Sequence, residues 1–151
     1  DALRARVLGA ERDLAELAKE VTGMRKRMRD EFGKKPSTER GKLSFIIKHS
    51  EGGIVDIEFM VQFIVLAYSG QHPALLRFPD NVRILEVAEV EKLLSADEHR
   101  LLTQAYLGLR SALHHFALAQ MEHGELPKEL AHLQTGVGQV WRRLFPNVDA
   151  S

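Results

Sequence analysis

The chain has 151 residues and is 44% hydrophobic, enough for one domain with its own core and too apolar for a disordered segment. Lys plus Arg and Asp plus Glu stand at 21 each, a balance that argues against nucleic-acid binding through a basic surface. The sequence holds no cysteine, which excludes disulfides, thiolate metal sites and a cysteine nucleophile, and no apolar run approaches the roughly 20 residues that span a bilayer.

No signal peptide is visible, and the chain opens on Asp1 instead of Met, as expected of an excised fragment. A cytoplasmic setting is the expectation. The first predicted element is a helix of about 30 residues from Ala2 to Glu31. Leu3, Val7, Ala10, Leu14, Leu17, Val21, Met24 and Met28 alternate steps of four and three along it, an a/d seam. Such a seam could make a dimeric coiled coil; packing inside its own bundle is the commoner use. Gly33 and Pro36 stop the helix.

Residues 33–43 read as a polar loop. The short apolar run Ser44 to Lys48 reads as an extended strand or an irregular lead-in, too short for a helix of its own. After Glu51, Gly52 and Gly53 comes a nearly continuous apolar stretch, Ile54 to Tyr68. Its β-branched content suits a buried strand, but about 15 residues is too long for one, so a central helix follows, ended by Gly70. One turn is expected at Pro73 to Leu76. Asp80 is the expected N-cap of a helix from Asn81 to Leu94. Ser95 and Glu98 match a capping box opening a long helix to about His123. Pro127 opens a last helix to Leu144, in which Gly136 and Gly138 mark a close helix contact or a kink. The fold class is all-α, a single bundle of five or six helices over residues 1–151.

Candidate chemistry is sparse. Gly52 and Gly53 precede a helix N-terminus, where free N–H groups and the helix dipole can hold a phosphate; a plain turn is the commoner meaning. Asp56 and Glu58 point roughly 200° apart on a helix, which argues against a two-carboxylate metal site. Asp56 suits the first turn. Glu58 lies in an apolar helix and needs a partner, with Arg83 or Lys48 as candidates. His114 and His115 are adjacent and cannot chelate together; His49, His72, His99, His123 and His132 read as surface or capping residues. Trp141, Arg142 and Arg143 could clamp a phosphate, but a helix-end basic pair is the default.

The run Glu51 to Gln62 resembles the G-G-x-x-[DE]-I-E-F-x-x-Q signature of the glutamine synthetase adenylyltransferases. Leu66-Ala67-Tyr68, His72-Pro73, Asp80 to Glu86, Ala105 to Arg110, Leu113 to His115, Leu118 to Gln120 and Trp141 match that family in order, so the likeness covers about residues 43–145. The resemblance implies a helical domain that follows a nucleotidyltransferase domain. Asp80 to Ile84 and Trp141 resemble the C-terminal of the family's two such domains. It further implies an enzyme that uses ATP and Mg2+ to attach AMP to a tyrosine of glutamine synthetase, under control of the PII signalling protein and glutamine. The family's glycine-serine turn and Asp-x-Asp pair are missing here, so no catalytic residue is expected in this chain. By resemblance Lys48, Gly52, Gly53, Asp56 and Glu58 contribute to the cleft against the enzyme's own nucleotidyltransferase domain. A regulatory module that binds PII or glutamine, and an unrelated oligomeric bundle, are the competing expectations.

Overall fold

A computed structural model describes the backbone of residues 2–32, 39–119 and 126–146, and side chains over 13–32, 42–115 and 126–146. Six helices run through it: α1 (Ala2–Phe32), α2 (Glu39–Lys48), α3 (Ile54–Tyr68), α4 (Asn81–Val90), α5 (Ala96–Ala119) and α6 (Lys128–Leu144), with a 3-10 turn at Pro73–Leu76. No strand occurs among the described residues, and none of the helices there is long and apolar enough to cross a membrane.

Two helices organise the rest. α3 packs against α1, α2, α4, α5 and α6, and α5 packs against α2, α3, α4 and α6. Ile57, Met60, Val61 and Ile64 of α3 are buried with Leu102, Ala105 and Leu109 of α5, Leu85 and Ala88 of α4, and Val137 of α6. Each of the Val, Leu, Ile and Met side chains among them contributes about 1.5–3 kcal/mol relative to exposure. The apolar stretch that mimicked a strand is therefore helical because five neighbouring helices cover most of its circumference.

The structure departs from the sequence reading at three places. Glu39–Lys48 is a helix, not the tail of a loop followed by a strand or an irregular lead-in. Leu43 and Ile47, spaced i and i+4, are buried on one side of it. Packing of that stripe offsets the weak propensity of so short a segment. Second, α4 stops at Val90, short of Leu94. Lys92 takes a left-handed φ of 63°, the Leu93 N–H bonds back to Ala88 O and the Lys92 N–H to Glu89 O. This is a Schellman ending with lysine where glycine is usual. Third, α1 does not bury all of its seam. Val21 is buried but Met24 is 52% exposed, while Ala18 and Arg25 turn inward. Leu3, Val7 and Ala10 lie outside the described side chains, and the stop at Gly33 and Pro36 lies outside the described residues.

Other local expectations hold. Asp80 caps α4 through the Val82 N–H, and Ser95 and Glu98 exchange the two bonds of a capping box at 2.9 and 3.1 Å. A Cβ on Gly136 would stand 2.9 Å from Leu101, so the glycine serves close contact of α6 with α5. Arg142 pairs with Glu51 at 2.7 Å, and Arg143 pairs with Glu98; the basic helix end is held by ion pairs.

The turn before α3 is the tightest point. Gly52 has φ +80°, and a Cβ there would lie 2.1 Å from Gln134 O. Gly52→Ala is expected to cost about 2 kcal/mol or more in urea unfolding. Gly70→Ala, with nothing within 4 Å, is expected to stay within about 0.5 kcal/mol of the parent.

Candidate functional site

The signature segment folds around one carboxylate. Asp56, in the first turn of α3, is 1% exposed. Arg25 and Arg29 lie four residues apart on α1 and so reach it from the same side. Arg25 Nε donates to Asp56 Oδ1, and Arg29 Nη2 lies 3.1 and 3.3 Å from the two carboxylate oxygens. The Gly52 N–H donates to Oδ2 at 2.8 Å. Both guanidinium groups also donate to the carbonyl of His49, from Arg25 Nη2 at 2.6 Å and Arg29 Nε at 3.1 Å. Two cations thus tie the carbonyl just past the end of α2 to the start of α3.

His49 is buried, not the surface or capping residue its sequence context suggested. Its ring stacks on Phe32 with centroids 4.5 Å apart and planes 8° from parallel, and meets Phe45 at 5.8 Å. Burial lowers its pKa; the charges of Arg25, Lys48 and Arg29 push the same way and Asp56 opposes them. Burial likewise draws the Arg25 guanidinium below its ordinary pKa, against the pull of Asp56. His49 Nδ1 and Arg25 Nη1 are buried with no hydrogen-bond partner among the described residues.

The glycines do not form an open cradle. Gly52 backs onto Gln134 of α6, and a Cβ on Gly53 would stand 2.7 Å from Lys48 O. The Gly53 N–H donates to Ser50 O at 2.9 Å. Both glycine N–H groups are therefore spent inside the fold. Gln134 reinforces the turn by donating to Ile46 O at 3.0 Å.

Glu58 behaves oppositely to Asp56. It is exposed on the far side of α3, so the expected burial with an Arg83 or Lys48 partner is not what the structure shows. Arg83 lies over the Phe78 ring, 5.3 Å from its centroid, and Lys48 is exposed. Partial burial raises the Glu58 pKa, and the charge of Arg110 on α5 works against that rise. The five sequence candidates thus divide: Gly52, Gly53 and Asp56 are buried, while Lys48 and Glu58 face outward. Arg25, Arg29 and Arg110 were not singled out from the sequence. The i, i+4 pair Arg25/Arg29 was the available signal, masked by reading α1 as a hydrophobic seam. No three His, Asp or Glu side chains converge as a metal site among the described residues.

Two measurements test this arrangement. Arg25→Met leaves the buried Asp56 with the partly exposed Arg29 as its cation beside the Gly52 N–H, and is expected to lower unfolding free energy by about 3 kcal/mol; Arg29→Ala should cost less. For His49 the folded pKa is depressed, so the unfolded chain takes up the proton first. Its stabilising contribution is whole above the ordinary value of 6.5 and declines as pH falls below it. His49→Phe, which keeps the stack on Phe32, should flatten the loss of urea-midpoint stability between about pH 7 and 5.

Comparison with known proteins places these features in a family. Residues 12–141 match the family model described as GlnD PII-uridylyltransferase. The chain is 48% identical over 95% of its length to a bifunctional glutamine synthetase adenylyltransferase/adenylyl-removing enzyme of Pseudomonas aeruginosa, covering 15% of that protein. The like-named proteins of Pseudomonas putida and Acinetobacter baylyi are 44% and 40% identical over 95% and 96% of this chain, which covers 16% of each. The chain therefore spans about one-sixth of the length of these relatives and belongs to the GlnD PII-uridylyltransferase family, with the glutamine synthetase adenylyltransferases as its relatives.

Proposed function

We propose that this chain is the helical accessory domain of an enzyme that transfers AMP from ATP to a tyrosine of glutamine synthetase, and that it has no catalytic centre of its own. The observation that carries this reading is the engagement of Asp56. Asp56-Ile57-Glu58 is the one Asp-x-[Asp/Glu] spacing in the sequence. Both Asp56 oxygens accept hydrogen bonds from Arg25, Arg29 or Gly52, and Glu58 leaves the helix on the other side. A nucleotide-bound magnesium ion needs carboxylate oxygens free to coordinate it. These residues do not fit that task, and no step of AMP transfer runs through them.

In this reading ATP and Mg2+ belong to the nucleotidyltransferase part of the whole enzyme. The relatives, bifunctional glutamine synthetase adenylyltransferase/adenylyl-removing enzymes, support glutamine synthetase as the protein substrate. PII and glutamine act on the whole enzyme, which works in the cytoplasm, and this domain belongs to its C-terminal half. Among the proposed cleft residues, Lys48 and Glu58 make the contacts; Gly52, Gly53 and Asp56 hold the turn that presents them.

The test is AMP transfer from labelled ATP in the presence of magnesium. The isolated chain is expected to leave glutamine synthetase unlabelled, and a polypeptide that also contains the nucleotidyltransferase segment is expected to label it. Label from the isolated chain would overturn the assignment, and replacement of Asp56 and Glu58 would then locate the missed centre.

A further inference from the structure

We infer that the face of α3 and α5 around Glu58 and Arg110 is where this domain docks on the remainder of an adenylyltransferase polypeptide. The inference rests on the function proposed above and names the surface that serves it.

Glu58, Gln62 and Leu66 recur every four residues on α3 and are all exposed, Leu66 by 55%. They form one stripe on a helix whose remaining circumference is largely buried. On α5, Leu107 (51% exposed) and Arg110 lie three residues apart and share a side. α3 packs directly against α5, so the two stripes belong to one helix pair, and the Arg110 charge acts on Glu58 across it. Five positions on this packed helix pair thus present an acid, a base, an amide and two large apolar side chains to solvent.

The charges are held apart. No ion pair closes between Glu58 and Arg110. The Arg110 guanidinium stands 5.3 Å from the Tyr106 ring centroid, with Nη1 donating to the Tyr106 hydroxyl at 3.4 Å. Asn81 Nδ2 donates to the same hydroxyl at 3.1 Å, anchoring Tyr106 to the start of α4. Arg110 is therefore pre-positioned, and Glu58 is partly desolvated without a direct partner on Arg110. A fitting occupant offers a carboxylate to Arg110, a cationic side chain to Glu58 and apolar contact to Leu66 and Leu107.

The length of the relatives selects that occupant. This chain matches 15% of the Pseudomonas aeruginosa protein, so in such a protein the rest of the polypeptide is tethered to this domain. A tether raises effective concentration to the millimolar range, at which a modest, partly polar surface suffices for docking. A freely diffusing partner lacks that advantage and needs a larger or more apolar face.

This chain has no cysteine, so a cysteine placed in it is the one thiol of this domain, and peptide mass separates it from any thiol elsewhere in the polypeptide. Leu66→Cys and Leu107→Cys are placed singly in the full-length enzyme, with Val90→Cys (76% exposed) as the reference, and maleimide labelling is located by peptide mass. Both face positions are expected to label about tenfold more slowly than Val90→Cys in the enzyme alone. Equal rates overturn the inference. Protection only after glutamine synthetase is added assigns the face to the substrate instead, and protection that grows with enzyme concentration assigns it to a second copy. Arg110→Glu is expected to lower AMP transfer about tenfold, and Glu58→Arg/Arg110→Glu is expected not to restore it. Rescue by that exchange would mean that the two residues serve only each other. The labelling rates read docking whether or not AMP is transferred, so failure of the docking face and failure of the proposed function give different results.

Discussion

A carboxylate buried at the start of an apolar helix must find cations, and the bundle is arranged around how Asp56 finds them. Arg25 and Arg29 descend from α1, satisfy the carboxylate, and through Arg25 Nη2 and Arg29 Nε also donate to the His49 carbonyl just past the end of α2. One cluster therefore fixes α1, α2 and α3 relative to one another. Apolar packing alone is non-directional and would let α1 slide along α3. Directional, desolvated hydrogen bonds to a buried group tolerate one register, because a slipped helix strands the charge. The energetic consequence is asymmetric. The cluster as a whole adds little net stability, but loss of one member is costly.

The same carboxylate explains the two glycines beside it. Oδ2 of Asp56 accepts the Gly52 N–H, which closes the turn from α2 into α3 and presses its backbone onto α6 at Gln134. A side chain at Gly52 would meet that backbone, and its left-handed φ would strain any other residue. Glycine here serves close packing of protein on protein. A phosphate-binding use, which the same dipeptide before a helix also suits, would need N–H groups that this turn has already engaged.

The signature thus has an inner and an outer half. Gly52, Gly53, Asp56 and Ile57 are accounted for by burial and by the arginine cluster. Glu58 and Gln62 face solvent, and nothing in the packing requires an acid or an amide there. Helical geometry produces this division, since positions 56 and 58 stand roughly 200° apart. The outer half is where the domain meets something else in the proposed function, and the inner half is the frame that aims it.

Much of the fold was legible in the sequence. Ile54–Tyr68 was recognisable as the central helix from length and apolar content, and its bounds match the structure. Asp80 and the Ser95/Glu98 box announced their helix starts because capping is a local hydrogen-bond pattern written within four residues. Features that depend on distant residues were not legible. Glu39–Lys48 is helical because Leu43 and Ile47 have a core to enter, and a ten-residue segment cannot pay for its own nucleation. Lys92 ends α4 in a conformation that composition assigns to glycine, held by bonds back to α4. The arginine partners of Asp56 lie 27 and 31 residues upstream, and the cation that acts on Glu58 lies on α5. By itself the sequence determined helical class, most helix bounds, the caps and the family signature, because periodicity and capping are local. The tertiary structure decided which carboxylate is buried, which arginines neutralise it and which signature residues face outward, because desolvation and charge pairing depend on which helices meet.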